Sequence, residues 1–320
     1  MKKIVYKDIA DKAGVSISTV SRYFTNGYIS DKNKKQISNT LDQTGYIKNL
    51  WTKKDVDVKN IYFISKSLND NDLIKIINSI DDTTRINQNE LIITAATNEA
   101  AEYVKEIKKI LSRSPKAIIL INPPRGEVLT RYLQNIKNIV QIVVFGLQIP
   151  NINSIYIDYK KLISESANKF IEETGDRNLA LVTDYRQTPA TIKEQLIGFT
   201  SFCKNLEAAT CSIKYFDNRV NQSVKTVVND LKSKKIRNVI CTTHDVFQNM
   251  LVHNVDGYFH LSDIGYNTIH DYNNSYFLKQ FIDYRYIWLQ IEDIIIKNIT
   301  NTNVIIKGEL IKPSTKEVVW

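Results

Sequence analysis

From residue 59 onward the chain repeats one pattern, a short apolar run followed by a stretch of helical amphipathicity. The runs "IYFI" (61–64), "LIIT" (91–94), "AIILI" (117–121) and "IVVF" (142–145) lack polar–apolar alternation, which marks strands buried on both faces of a parallel sheet. Parallel strands need crossover connections, and Leu73, Ile76, Ile77 and Ile80 between the first two runs have helical spacing. A second series, "LALV" (179–182), "CSIKYF" (211–216), "VICT" (239–242) and "GYFHL" (257–261), alternates with helices such as the one around Phe199 and Phe202. The pattern predicts two doubly wound α/β lobes facing one another, with a ligand cleft at the carboxyl ends of their strands. "YRYIWLQIEDIII", with Trp288, fits a core helix or a subunit contact.

The first sixty residues break this pattern and are basic, with 12 Lys/Arg against 6 Asp/Glu, whereas the rest carries 31 against 28. A basic block on a nearly balanced body points to a polyanionic partner. In "YKDIADKAGV", Ile9, Ala10 and Ala13 recur at helical spacing and Gly14 suits the left-handed turn that ends a helix. Ser16 can cap a second helix with Val20 and Phe24 on its inner face; Asn26 and Gly27 break it. Ser30 caps a third helix, whose inner stripe is Ile37, Leu41 and Thr44 before Gly45 stops it. Two helices joined by a tight turn, on a minimal core, form a helix-turn-helix whose second helix enters the major groove. Ile17, Ser18, Ser21 and Arg22 lie on its other faces, and Arg22 can pair with a guanine edge or clamp a phosphate.

"YKDIADKAGVSISTVSRYF" resembles the N-terminal signature of the lactose/galactose repressor (LacI/GalR) family of bacterial transcription factors, D-I-A-x-x-A-G-V-S-x-x-T-V-S-R, matched here from Asp8 to Arg22. The resemblance implies that Ile17 and Ser18 read bases beside Arg22 and that Ser16, Thr19 and Ser21 contact phosphates. Tyr6, Thr25, Asn26 and Ser30, with Asn49, Leu50, Trp51 and Lys53 in the linker, complete the candidate DNA-binding set. Val5 stands where the family often has a capping threonine. In the family the linker folds on DNA into a hinge helix whose leucine wedges into the minor groove. Here "GYIKNLWTKKDV" puts Lys48 at the proline and Asp55 at the leucine position, so Leu50 or Trp51 becomes the candidate wedge.

The likeness extends along the body. "QLIGFTSF" is similar to the family's R-x-x-G-[FY] element with Gln195 at the effector-binding arginine, and "CTTHDVF" puts Asp245 where members hydrogen-bond a sugar hydroxyl or a base. Gly146 stands at the position of a cleft aspartate and Asp176 at that of a histidine. Ser65, Lys66, Ser67 and Asn69, just past the first strand, join Gln195 and Asp245 as the candidate effector-binding set. For Asp245, a ligand acceptor and a cap of the following helix are both open readings. Gln195 serves a neutral polyol or is an exposed helical glutamine.

The expected fold is a three-helix helix-turn-helix domain (1–46), a hinge (47–58) and a two-lobed, periplasmic-binding-protein-like α/β domain for effector binding and dimerisation (59–320). Its first lobe is expected over about 59–157 and 277–302, and its second over about 158–276 and 303–320. The expected function is a cytoplasmic, homodimeric repressor of a carbohydrate-utilisation operon. It would bind an inverted-repeat operator in double-stranded DNA and answer to a sugar or sugar derivative, without a cofactor. The alternative is a regulator whose cleft has lost its small molecule and which answers to a protein partner. An enzyme is disfavoured, because there is no G-x-S-x-G or P-loop motif. Cys203, Cys211 and Cys241 form no C-x-x-C pair, and the four histidines lack metal-ligand spacing. No uncharged run approaches the roughly 20 residues of a membrane span.

Overall fold

The computed structural model describes residues 5–25, 27–44, 60–68, 70–80, 89–217, 221–265 and 276–313. Three helices open the chain: α1 (Tyr6–Ala13), α2 (Ile17–Phe24) and α3 (Asp31–Thr44). They close over Ile9, Ala10, Ala13, Val20 and Ile37, with Tyr6, Phe24 and Leu41 packed around that centre. Gly14, at φ +64°, makes the left-handed turn out of α1. Val5 has no side-chain acceptor for the α1 cap, so Asp8 closes the turn from the other side, its Oδ2 accepting the Val5 N–H at 2.8 Å.

The body begins with β1 (Ile61–Ser65), α4 (Asn71–Asn78), β2 (Leu91–Ala95), α5 (Ala100–Leu111), β3 (Ala117–Ile121), α6 (Glu127–Ile136), β4 (Gln141–Phe145) and β5 (Asn153–Ile157). It continues through α7 (Tyr159–Thr174), β6 (Leu179–Asp184), α8 (Pro189–Cys203), β7 (Cys211–Phe216), α9 (Asn221–Ser233), β8 (Asn238–Cys241), α10 (His244–Val252) and β9 (His260–Gly265). The described chain ends with β10 (Leu278–Phe281), α11 (Tyr284–Ile296), β11 (Asn303–Ile306) and β12 (Glu309–Ile311). Two six-stranded sheets result, ordered β11-β5-β4-β3-β1-β2 and β12-β10-β9-β8-β6-β7. The first sheet pairs in parallel from β2 across to β5, and the second from β7 across to β10, with β12 antiparallel to β10. Every residue of β1, β3 and β6 is buried, as runs without alternation require.

The chain divides into one unit of residues 1–155 and 288–304 and another of 156–287 and 305–320. In the first, Tyr62, Ile64, Ile118, Leu120 and Val144 pack against Tyr103, Ile107 and Leu133 from the helices. Trp288 is buried and stacks on Phe63 at 6.2 Å, so its helix is a core helix. In the second, Ala180, Val182, Val239 and Leu261 meet Val224, Leu231, Phe247 and Met250.

Three sequence expectations need correction. "GYFHL" is a strand only from His260, because Gly257 adopts φ +62° and the Asn254 side chain clamps Phe259 at both backbone groups, at 2.8 and 2.9 Å. Residues 277–287, expected with the first lobe, belong to the second unit, since β10 pairs with β9 and β12. The strands β10, β11 and β12 were not foreseen; "LKQF", "NVII" and "ELI" are short and mix polar with apolar residues.

Candidate nucleic-acid interface and effector site

Helix α2 is built to present one face. Ser16 Oγ accepts the Thr19 N–H at 3.1 Å and thereby starts the helix at Ile17. The same oxygen lies 2.8 Å from Ser18 Oγ and 2.7 Å from Thr19 Oγ1, so these three hydroxyls form one knot at the helix start. With Val20 buried below, Ser16, Ile17, Ser18 and Arg22 are exposed together, Ile17 to 50%. That face combines an apolar contact for a thymine methyl, small hydroxyls, a helix N-terminus suited to phosphate and an arginine one turn on. Gly27 lets the chain fold back over Arg22: its N–H donates to Arg22 O at 2.8 Å, and a Cβ there would lie 3.2 Å from Arg22 Cβ.

The other candidates in this domain are placed differently. Thr25 Oγ1 donates to Ser21 O at 3.0 Å, and Ser30 Oγ accepts the Asn33 N–H at 3.3 Å, so both hydroxyls serve helix ends. Thr19 and Ser21 are half-buried, and the ring of Tyr6 stacks on Phe24 at 5.2 Å. Tyr28, 92% exposed in the turn after α2, was not in the candidate set; an aromatic residue directly after Asn-Gly was the available signal. Asn26, Asn49, Leu50, Trp51 and Lys53, and with them the hinge 47–58, lie outside the described residues.

In the second unit, the carboxyl ends of β6 and β8 carry a buried polar cluster. Gln195 is fully buried midway along α8, which settles the open reading against an exposed helical glutamine. Its Oε1 accepts from Thr183 Oγ1 at 3.3 Å, while its Nε2 has no hydrogen-bond partner among the described residues. Thr242 Oγ1 lies 3.4 Å from Thr183 Oγ1 and 3.2 Å from Gln187 Oε1. Neutral hydroxyls and amides, one of them an unspent donor, suit the hydroxyls of an uncharged polar ligand. Helix α8 sits this close because residue 198 is glycine: a Cβ there would lie 2.5 Å from Lys160 O of α7.

Asp245 does not cap α10. Thr243 does, with Oγ1 accepting the Val246 N–H at 3.2 Å. Asp245 instead accepts from Arg186 Nη2 at 2.6 Å, and Arg186 also holds Asp184, which is 1% exposed, through Nε at 3.0 Å. Asp184 first, then Asp245, raise the guanidinium pKa further, fixing its charge. "TDYRQT", directly after a strand, was the unread signal for Arg186 and Gln187.

In the first unit, Ser65 ends β1, fully buried, with no partner for its Oγ among the described residues. Lys66 and Ser67 follow it and are engaged by other groups; Asn69 lies outside the described residues. Asp70 Oδ1 caps α4 by accepting the N–H groups of Asp72 and Leu73 at 3.0 and 3.2 Å. Asn122, at the end of β3, donates through Nδ2 to Asp70 Oδ1 at 3.2 Å and to Asp72 Oδ2 at 2.8 Å. Burial, then the Asp72 charge, push the Asp70 carboxyl above the usual range. Gly146, at φ +84°, faces Asn122: a Cβ there would fall 2.0 Å from Asn122 Oδ1. The aspartate that the resemblance expects at this position is therefore excluded by the asparagine across from it. Sequence reasoning missed Asn122, Asp70 and Asp72; "INPP" after the third strand marked the first of them.

The described histidines have structural partners: His244 with Asp263 at 3.0 Å, His253 with Asn249 O at 3.0 Å and His260 with Asn238 at 2.9 Å. Among the described residues, no group of three or more His, Cys, Asp or Glu could hold a metal ion, and no helix is long and apolar enough to cross a membrane.

Residues 5–49 match the family model of bacterial regulatory proteins, lacI family. A probable HTH-type transcriptional regulator, EndR, of Paenibacillus polymyxa is 22% identical over 201 residues, which span 60% of this chain and 58% of that relative. Among solved structures, the lac repressor dimer bound to operator and an anti-inducer aligns with a TM-score of 0.64 at 15% identity, over 98% of this chain and 99% of that one. A periplasmic solute-binding protein from Actinobacillus succinogenes with bound D-allose aligns with a TM-score of 0.65 at 12% identity, over 79% of this chain and 97% of that one. At these identities the structural likenesses establish the fold: a helix-turn-helix domain followed by a two-sheet, periplasmic-binding-protein-like α/β body.

Proposed function

We propose that this chain, whose residues 5–49 match the lacI family of bacterial regulatory proteins, is a sequence-specific transcriptional repressor controlled by a small polyhydroxyl effector. The observation that carries the DNA-binding half is the exposed set Ser16, Ile17, Ser18 and Arg22 on a capped helix held by a buried core. As a homodimer the protein places two such helices about one duplex turn, ~34 Å, apart, and so selects an inverted repeat. The body supports the effector half. Thr183, Gln187, Gln195 and Thr242 offer uncharged donors and acceptors at strand carboxyl ends, where ligands of open α/β sheets bind. The solved relatives bind an operator in one case and D-allose in the other, and a carbohydrate-utilisation operon is the target this pairing favours.

The test is fluorescence anisotropy on a site selected from random duplex, across a salt series. Log affinity should fall with log salt by about 0.9 per phosphate contacted, and the selected site should hold an advantage over random DNA of at least ~10³. Equal affinity for both at every salt concentration refutes the proposal. A second reading, control by a protein partner, draws on Asp245 being engaged by Arg186 and on Gly146 being packed against Asn122. A thermal-shift screen of sugars, polyols and sugar phosphates separates the two: a stabiliser supports the first, none the second.

A further inference from the structure

Helix α3 starts on an acid, Asp31, but carries no basic residue in its last turn. Its end therefore leaves carbonyl oxygens that need a donor and a negative dipole end that needs a cation. Helices of the first sheet supply both. Asn135 Nδ2 of α6 donates to Asp42 O at 2.8 Å, and Lys108 Nζ of α5 lies 2.7 Å from Asp42 Oδ1. Lys105 and Lys109 pair with Glu102 and Glu106 of their own helix, whereas Lys108 reaches across to α3. Its ammonium also stands over the buried Tyr132 ring of α6, 5.4 Å from the centre. Burial, then the Asp42 charge, raise the Tyr132 hydroxyl pKa.

Both sides of this contact are anchored. Ile107, Ile110 and Leu111 around Lys108, and Leu133 and Ile136 around Asn135, lie in the core of the first sheet. Ile37 of α3 shares the small N-terminal core with Val20 of α2. We propose that the DNA-binding domain is seated in cis on α5 and α6 through Asp42 and keeps this seat while α2 reads DNA, so that domain and first sheet turn as one body. The seat uses only the far end of α3 and leaves Ser16, Ile17, Ser18 and Arg22 exposed, so seating and reading do not compete. A movement of α5 and α6 then reaches the recognition helix through packed side chains, without passing through residues 47–58. Retention of the seat on DNA rests on the function proposed above; the seat in the free protein does not.

The experiment treats the full-length protein with a water-soluble carbodiimide, which joins an amine to a carboxylate already in contact with it, and maps the new amide bonds by peptide mass spectrometry. The expected product is a Lys108–Asp42 amide at single-chain mass, formed alongside a Lys109–Glu106 amide from the 2.8 Å pair within α5, which serves as the reference. Lys108→Arg keeps the charge without the amine and should lose the first bond alone, and Asn135→Leu should lower its yield relative to the reference. Saturation with duplex DNA should leave the ratio of the two bonds unchanged. The reference bond without the Lys108–Asp42 bond, a Lys108–Asp42 bond that joins two chains, or a ratio that collapses on duplex each overturn the proposal. A protein that bound no duplex would refute the proposed function, and the seat would then stand or fall on the free protein alone.

Discussion

Replacing Gly146 with alanine strains one backbone position and evicts one side chain. At φ +84° a side chain enters the left-handed region, at a cost of about 1–2 kcal/mol. The new Cβ would lie 2.0 Å from Asn122 Oδ1 and 3.1 Å from its Cγ, so Asn122 must rotate away. That movement breaks the bond from Asn122 to the buried Asp70, and a hydrogen bond to a charged group contributes about 1.5–3 kcal/mol. Gly146→Ala is therefore expected to lower stability by about 2.5–5 kcal/mol, and Gly146→Asp, the residue the resemblance expects, by at least as much. Urea titrations followed by circular dichroism measure this in a double-mutant cycle with Asn122→Gly, a tolerated partner because Asn122 itself sits at φ +46°. In the Asn122→Gly background only the backbone strain remains, about 1–2 kcal/mol. An equal loss from Gly146→Ala in both backgrounds would show that the Asn122 contact is not the cause and refute the reasoning.

On its best inverted-repeat site, Arg22→Ala should weaken binding by about 1–3 kcal/mol and by less on random duplex; equal losses reduce Arg22 to a phosphate contact. Gln195→Leu removes a buried donor that has no described partner and the Oε1 that accepts from Thr183, whose hydroxyl keeps Gln187 Oε1 at 3.4 Å, so stability should fall by no more than about 1.5 kcal/mol while any thermal shift with polyols disappears. A destabilisation well beyond that would show a satisfied, structural amide. Asp70 takes up a proton more readily folded than unfolded, because burial and Asp72 hold its pKa above 3.8. Its contribution is thus fully present at low pH and is lost as pH rises from 3.8 through the folded value. Asp70→Asn keeps an N-cap acceptor and should flatten that part of the pH–stability curve; an unaltered slope assigns it to other groups.

The helix-turn-helix was legible because its determinants are local. Gly14, Ser16 and Ser30 act on backbone groups within a few residues, and Ile9, Val20 and Ile37 lie at helical spacing. The buried strands β1, β3 and β4 were legible from their unbroken apolar runs, and the two-sheet α/β body from their alternation with helices, whereas "LIIT", which has the same composition, is the edge strand β2 and has no residue fully buried. What stayed hidden depends on contacts distant in sequence. Asn122 acts on Asp70 across 52 positions, and Arg186 reaches Asp245 across 59. The strands β10, β11 and β12 owe their state to neighbours in the sheet rather than to their own composition. The burial of Gln195 follows from the approach of α8 to α7 at Gly198, which no local pattern encodes.

The first unit takes its closing pieces, most of α11 and the start of β11, from residues 288–304, after all of the second sheet's strands from β6 to β10. During synthesis it must therefore wait. Roughly 150 residues separate β5 from β11, a delay of about 8–30 s at ordinary translation rates. Through that interval the Gln141 amide lacks its acceptors Ile294 O and Ile299 O, Asn153 lacks Ile299 O and the Thr302 N–H, and Phe63 lacks Trp288. The half-built sheet leaves the ribosome with β5 as an open edge, the kind of surface that chaperones cover and that aggregates recruit. Ribosome-bound chains stalled before residue 288 should consequently remain protease-sensitive in their N-terminal half, however much of the later sheet has already emerged.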